Sequence, residues 1–258
     1  MLSKAKIKWI NSLLLKKNRD EENVFVAEGV KLVADLLPLM KCKYLAYTDE
    51  KMLFVKSAKN TFEKDLISEN ELHKISSLKT PQGIIAVFEK PNYTIDYSQI
   101  QNQLSIALDD VQDPGNLGTI IRLADWFGVK DVFCSLHTAD VYNPKTIQAT
   151  MGAIARVRVH YVNLVDFLKE ISPLNPPQGD FEVYGTFMDG ENIYEQHLSS
   201  NGIIVMGNEG NGISKEVLPL VSKKLLIPTF PADANTSESL NVGVATAITV
   251  AEFRRRAK

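Results

Sequence analysis

The sequence predicts an α/β protein with a larger C-terminal domain on a parallel sheet and a smaller N-terminal α/β domain. Three observations lead there. Short apolar runs alternate with amphipathic helical stretches along the chain, the pattern of strand–helix–strand units. From residue 104 a strand, a helix and a second strand follow within roughly 30 residues, the length of one βαβ unit, and this implies parallel strands. A polar stretch that carries Pro91 and lacks periodicity divides the two halves. The predicted organisation is residues 1–90, a linker over 91–103, and a second domain over 104–258.

Each element has its own signal. In residues 4–18, Ile7, Ile10, Leu13 and Leu14 fall on one helical face with lysines around the rest. The polar run Arg19-Asp20-Glu21-Glu22-Asn23 is expected to end that helix. Residues 24–27 read as a buried strand and 30–37 as a helix stopped by Pro38. Strands are expected at 44–47, 65–67 and 84–88, and helices near 50–59 and 69–78. The second domain opens with the apolar strand 104–108. Its loop leads to Asn116, the expected cap of a helix that ends at Gly128. A strand at 132–134, a helix from Asn143-Pro144-Lys145 to about 154, a strand at 157–161 and a helix at 164–171 follow. After the Pro- and Gly-bearing loop 172–180 come strands at 182–187, 203–206 and 224–227. The last helix is expected from Ser239 to Arg254-Arg255-Arg256. The stretch 207–212 reads as a turn into a helix at Ser214.

Composition narrows the function. The chain has 258 residues and a formal charge of −2, which by itself names no nucleic-acid partner. The distribution is uneven: residues 1–95 hold 16 Lys and Arg against 12 Asp and Glu, while 96–258 hold 13 against 19. Lys4, Lys6, Lys8, Lys16, Lys17 and Arg19 precede any acid. A phosphate-contacting arm and a solvated helix face both fit that pattern. Cys42 and Cys134 are far apart in apolar surroundings and read as reduced, buried residues of a cytoplasmic protein. No apolar run is long enough to cross a bilayer, no signal-peptide core follows Met1, and the four His residues show no metal-ligand spacing.

Three sub-stretches of residues 203–251 pair an apolar strand or helix start with a loop rich in Gly, Asn or Ser. That pattern builds a pocket at the carboxyl ends of strands, where open α/β sheets hold ligands. The loop Gly115-Asn116-Leu117-Gly118 lacks a third glycine, so it is not a dinucleotide fingerprint, and no GxxxxGK[ST] loop is present. Arg122 follows Asn116 by six residues, about 240° around a helix, within the apolar run Ile120-Ile121-Arg122-Leu123-Ala124. A half-buried arginine needs an ion-pair partner, such as an acid in 109–113, or a phosphate. The residues alone leave both readings open. Glu209 is the only charge in the 207–212 loop. The small residues Gly243, Ala245, Ala247 and Ala251 suit close helix packing.

Together these stretches resemble one family. Asn116-Leu117-Gly118-Thr119-Ile120-Ile121-Arg122, Met206-Gly207-Asn208-Glu209-Gly210, and Ile227-Pro228 followed by Ser239-Leu240-Asn241-Val242 look like the three signature motifs of the SpoU (TrmH-type) RNA ribose 2′-O-methyltransferases of the SPOUT superfamily. Asn143-Pro144-Lys145 and Met151-Gly152-Ala153 add to the resemblance. Phe25-Val26-Ala27-Glu28-Gly29 and Pro81-Gln82-Gly83 are similar to the substrate-binding domain of rRNA-modifying members. The resemblance implies a deep trefoil knot in the C-terminal domain, S-adenosyl-L-methionine as cofactor, a homodimer, and RNA as substrate, with large-subunit rRNA favoured. A tRNA-directed enzyme and a non-catalytic RNA-binding or ribosome assembly factor are the alternatives. It assigns catalysis to Arg122, Asn116, Glu209, Ser239 and Asn241, and the cofactor to Thr186, Met206, Gly207, Asn208, Ile227 and Leu240. RNA contacts are expected at Lys4, Lys6, Lys8 and Lys145. Two departures stand out: Gly243 replaces a small hydroxyl residue, and the loop 229–238 carries Phe230, Pro231 and Ala232 where shorter, glycine-bearing versions are common.

Overall fold

The structure is a computed structural model that describes residues 1–49, 52, 54–55, 61–171, 181–231 and 239–256. The chain divides into two compact units, Met1–Asn92 with Asp140–Ala155, and Tyr93–Ala139 with Arg156–Lys258. The chain thus enters the first unit twice, which a linear reading of 104–258 does not contain. Side-chain contacts explain it: Tyr142 stacks on Phe25 at 5.1 Å, and Gln148 Nε2 donates to the Glu28 carbonyl at 2.7 Å.

The first unit is built on strands β1 (Val24–Glu28), β2 (Cys42–Tyr47), β3 (Thr61–Leu66) and β4 (Ile84–Glu89), in the order β1-β4-β2-β3. β4 runs antiparallel to β1 and β2, and β3 runs parallel to β2. Strand alternation sends Val24, Val26, Tyr44, Ala46, Ile85 and Val87 to one face, where Ile10, Leu13, Leu72 and Ile75 cover them from helices and the turns beside them. The expected helix 4–18 is instead two helices, Lys4–Ser12 and Lys16–Glu22. Arg19 supplies the reason. Its buried guanidinium donates to the Leu13 and Leu14 carbonyls at 2.8 and 2.7 Å and to Asp140 at 2.6 Å, satisfying groups freed by the break. The polar run at 19–22 therefore lies within the second helix, which Asn23 ends in the left-handed region. The expected helix near 50–59 lies largely outside the described residues.

The second unit holds β5 (Leu104–Leu108), β6 (Asp131–Ser135), β7 (Arg158–Val162), β8 (Val183–Asn192), β9 (Gly202–Met206) and β10 (Lys223–Leu226). Their order is β10-β8-β9-β5-β6-β7, and every neighbouring pair is parallel. β5, β6 and β9 are buried throughout, as central strands covered on both faces require. The helix Leu164–Ile171 covers one face, where Phe167 stacks on Phe133 at 4.2 Å. The helix Pro114–Trp126 packs against the last helix, Val242–Arg256, and Tyr184 of β8 meets Phe253 edge-on at 4.7 Å. The 91–103 stretch contains a one-turn helix, Tyr97–Ile100, capped by Asp96. No helix starts at Ser214; a 3-10 turn at Leu218–Leu220 lies there instead. Cys42 and Cys134 are free and buried, and burial pushes both thiols up, Cys42 to about 11. Among the described residues no helix is long and apolar enough to cross a membrane, and no cluster of metal-ligating side chains occurs.

Candidate active site

From β5 the chain steps outward to β6 and then β7, and afterwards returns to place β9 on the other side of β5. The β5–β9 boundary is therefore the topological switch point, where loops leaving two strands diverge and open a crevice. The segments beyond β5 and β9, residues 109–113 and 207–213, meet there.

The cap of the helix after β5 lies three residues earlier than expected. Asp113 is its cap, accepting from the Asn116 backbone N–H at 2.8 Å, and Pro114 occupies the first turn. Asn116 is thereby released from capping, and its side chain faces the second half of the sequence. Its Nδ2 donates to Glu209 Oε1 at 3.0 Å, and its Oδ1 accepts from Asn241 Nδ2 at 3.0 Å. Asn241 caps the last helix: its Oδ1 accepts from the N–H groups of Gly243 and Val244 at 2.9 and 3.3 Å. That helix begins at Val242, three residues later than expected. A Cβ at Gly243 would lie 3.2 Å from Asn241 Oδ1 and 3.4 Å from Thr119 Cγ2. Glycine there lets the cap and the neighbouring helix approach closely.

The structure therefore joins Asn116, Glu209 and Asn241 in one hydrogen-bonded row and leaves Arg122 and Ser239 outside it. Arg122 is exposed, not half-buried. It makes no ion pair among the described residues, because the acids of 109–113 are engaged elsewhere: Asp113 caps its helix, Asp109 accepts from Ser214 N–H at 2.7 Å, and Asp110 is held by Ser135. Ser239 is exposed and follows the segment 232–238, which lies outside the described residues.

The residues expected at the cofactor sit on adjacent strand ends. Met206 ends β9 and Gly207 follows it, Thr186 lies in β8, and Ile227 follows β10. Thr186 Oγ1 lies 3.9 Å from Met206 Sδ. Leu240 is 48% exposed beside Asn241. Among the described residues, the backbone N–H groups of Gly207, Ile227 and Leu240 donate to no protein acceptor. Open peptide donors flanked by apolar side chains suit a planar heterocycle with acceptor nitrogens, so these residues fit the adenine end of the expected cofactor. Gly207 has a different necessity: a Cβ there would lie 2.3 Å from the Gly212 carbonyl carbon. The Asn208 side chain is engaged at both ends, accepting from Gly210 and Asn211 N–H in its own loop and donating one Nδ2 hydrogen to the Asp110 carbonyl beyond β5. Phe230 is 85% exposed.

The basic groups divide into engaged and open. Lys6 pairs with Glu63 at 2.6 Å and lies 4.4 Å from the Tyr44 ring. Lys16 and Lys17 pair with Asp20 and Glu21. Lys4 and Lys8 have no ion-pair partner among the described residues. Lys145 belongs to the first unit and is exposed. The basic end is structural: Arg254 Nε donates to the Phe127 carbonyl at 2.8 Å, and Arg255 and Arg256 both bind Glu252, whose carboxyl their hydrogen bonds hold at about 2. Sequence reasoning missed Asp109, Asp110, Ser135 and Thr138. The paired aspartates at the end of an apolar strand are the signal that points to them.

Comparisons with known proteins agree with this geometry. Residues 103–251 match the SpoU rRNA Methylase family, and residues 4–86 match the MRM3-like substrate binding domain. The chain is 30% identical to the Bacillus subtilis 23S rRNA (guanosine(2553)-2′-O)-methyltransferase RlmP over 96% of both chains. An RNA methyltransferase of the TrmH family from Porphyromonas gingivalis superposes with a TM-score of 0.84 at 38% identity, covering 100% of each chain. An AdoMet-bound rRNA methyltransferase from Sinorhizobium meliloti gives 0.82 at 31% identity, covering 100% of this chain and 97% of that one.

Proposed function

The chain belongs to the SpoU rRNA methylase family, and from that premise we propose that it transfers the methyl group of S-adenosyl-L-methionine to a ribose 2′-hydroxyl of rRNA. The observation that carries this reading is the Asn116–Glu209–Asn241 row at the switch point of the sheet. The cofactor supplies a methyl group on a sulfonium, which leaves as a neutral thioether, so the protein's task is to activate a weakly acidic hydroxyl. Thr186, Met206, Gly207, Ile227 and Leu240 would hold it.

Glu209 accepts from Asn116 at Oε1, and its Oε2 has no partner among the described residues. That oxygen can accept a hydrogen bond from the ribose hydroxyl, orient it, and take its proton as the oxygen–methyl bond forms and the sulfur–methyl bond breaks. Asn116 and Asn241 fix the carboxylate, so little orientational freedom is lost when RNA docks. Arg122 is an exposed cation on the helix that presents Asn116. A guanidinium holds its proton, which suits it to stabilise the developing alkoxide rather than to act as base. Ser239 completes the set of residues expected to orient the ribose.

Large-subunit rRNA is the favoured substrate, supported by the substrate-binding match at 4–86 and by the 23S rRNA specificity in the name of the Bacillus relative. A homodimer is proposed as the working form, supported by Trp126, Leu240 and Val244, which are 83%, 48% and 49% exposed on or beside the two packed helices. The reading also includes the trefoil knot and a cytoplasmic location. The test is methyl transfer from labelled S-adenosyl-L-methionine to RNA of cells lacking this protein, with the labelled ribose mapped. Label at one large-subunit nucleotide is expected, and Arg122→Ala should lower kcat about 100-fold with donor affinity unchanged. Label in tRNA would replace the substrate. An Arg122→Ala variant that folds, binds donor and methylates at the wild-type rate would remove Arg122 from the mechanism. Absence of both label and donor binding would favour a non-catalytic RNA-binding protein.

A further inference from the structure

The loop that presents Glu209 is held by side chains to which the reaction assigns no chemistry. Asn208 is central. Its Oδ1 accepts from the N–H groups of Gly210 and Asn211 at 2.9 and 3.0 Å, and its Nδ2 donates to the Asp110 carbonyl at 2.7 Å. Its backbone exchanges two further hydrogen bonds with Gly212, at 2.9 and 3.0 Å. Residues 208–212 thus form a closed ring, and Glu209 is the side chain of that ring that reaches Asn116.

Asp110, the anchor of the ring, is itself fixed. Its φ of 59° lies in the left-handed region, which Asp enters more readily than most residues with a Cβ but which still favours glycine. Ser135 holds it there. Its Oγ accepts from the Asp110 N–H at 2.9 Å and donates to the Asp110 carboxylate. Ser135 is hydrogen-bonded in turn to Thr138 at 3.0 Å, and Thr138 lies 3.2 Å from the Leu108 carbonyl. Both hydroxyl residues are buried. Asp109, also buried, closes the far end of the loop through Ser214. A continuous polar chain therefore runs from the ends of β5 and β6 through Asp110 and Asn208 to Glu209. Without it, a segment bearing Gly207, Gly210 and Gly212 would leave the carboxylate free to wander.

We propose that Asn208, anchored on Asp110, is a positioning residue that sets the Glu209 carboxylate against Asn116, and that its side chain does not contact the methyl donor. This rests on the role given to Glu209 above and replaces the sequence-based expectation that Asn208 binds cofactor. Both lone pairs of its Oδ1 are taken by the Gly210 and Asn211 N–H groups and one Nδ2 N–H by the Asp110 carbonyl, so a single N–H of the side chain stays uncommitted.

The test is a double-mutant cycle with Asn208→Ala and Glu209→Gln, read as kcat, KM and the calorimetric Kd for S-adenosyl-L-methionine. Asn208→Ala should lower kcat roughly tenfold to a hundredfold, the cost of misplacing a reacting group, with the donor Kd within about twofold. In the Glu209→Gln background the same change should lower kcat by less than about twofold, because a residue that acts only through Glu209 has nothing left to position. Should Asn208→Ala not fold, Asn208→Asp enters the same cycle, since it keeps the acceptor for Gly210 and Asn211 and sets an oxygen in place of the donor to Asp110. The same full loss in the Glu209→Gln background, or a weakened donor Kd at retained kcat, overturns the proposal. Wild-type kcat for Glu209→Gln alone is a different failure: it removes the role of Glu209, and the proposal with it.

Discussion

At the amino ends of β6 and β7 lies Asp131, 3% exposed, accepting from Arg158 at 2.7 and 2.6 Å, from His160 at 2.9 Å and from Gln103 at 2.7 Å. Beyond the carboxyl ends of β5 and β9 lie Asn116, Glu209 and Asn241, joined by neutral amide bridges and open to solvent on one side. Both clusters cap the same sheet, yet they follow opposite rules. Burial opposes the Asp131 charge, but the hydrogen bonds from His160 and Arg158 outweigh it and hold the carboxyl at about 2. Four donors saturate that group, so no lone pair is left for a ligand. The cluster beyond β5 and β9 keeps lone pairs unfilled and, on the neighbouring helix surface, a cation with no ion-pair partner among the described residues, Arg122. Saturation marks a structural cluster; ordered but unsaturated groups at strand ends mark a reactive one.

The largest expected effect separates the two. Asp131→Ala leaves Arg158 and His160 without their buried partner and should cost about 3–5 kcal/mol of stability, with kcat per folded molecule unchanged. Acid unfolding should follow the same group. Its folded value of about 2 is below the ordinary 3.8, so its contribution is complete above pH of about 4 and is lost as pH falls through about 2. Asp131→Asn should flatten the stability curve across that window, seen by chemical denaturation at stepped pH. A kcat loss in either variant would erase the distinction between the two ends. Next in size, Asn116→Ala should lower kcat about 100-fold, roughly 2.7 kcal/mol, while the melting temperature moves by only a few degrees. A large melting shift with retained kcat would make the cluster beyond β5 and β9 structural as well.

The smallest expected effect concerns the open and engaged lysines of the first unit. Neutralising Lys4 and Lys8 together should reduce the slope of log affinity for RNA against log salt by about 1.5, near 0.7–0.9 per phosphate contact. Lys6→Gln should leave that slope unchanged, because Lys6 is already paired with Glu63. An equal effect from Lys6 would mean that the ion pair opens for RNA.

Much of this was readable along the chain. Strand and helix periods are local consequences of burial on one or two faces, so apolar runs such as Leu104–Leu108 and Gly202–Met206 declare themselves as buried strands. The motif residues Asn116, Glu209 and Asn241 were also readable, as members of three short patterns. Less readable were the boundaries where a side chain has two possible roles. Asn116 and Asp113 both suit a helix cap, and only the fold selects Asp113, because Asn116 is needed by Asn241. The single helix expected over 4–18 breaks because the Arg19 side chain takes up the carbonyls at Leu13 and Leu14, an event that helical periodicity does not register.

By itself, the sequence determined the α/β class, the strands of the parallel sheet, the family and the three polar residues that meet at its switch point. The tertiary structure alone decided which charges are available. It buries Arg19, commits Arg254, Arg255 and Arg256 to carbonyls and Glu252, and leaves Arg122, Lys4 and Lys8 open. It also joined Asn208 to Asp110 and Asn116 to Glu209 and Asn241, across 98, 93 and 125 residues of chain. The physical reason is range: burial patterns repeat every two to four residues and are written locally, whereas a hydrogen-bond partner a hundred residues away is chosen only when the strands that carry both have paired.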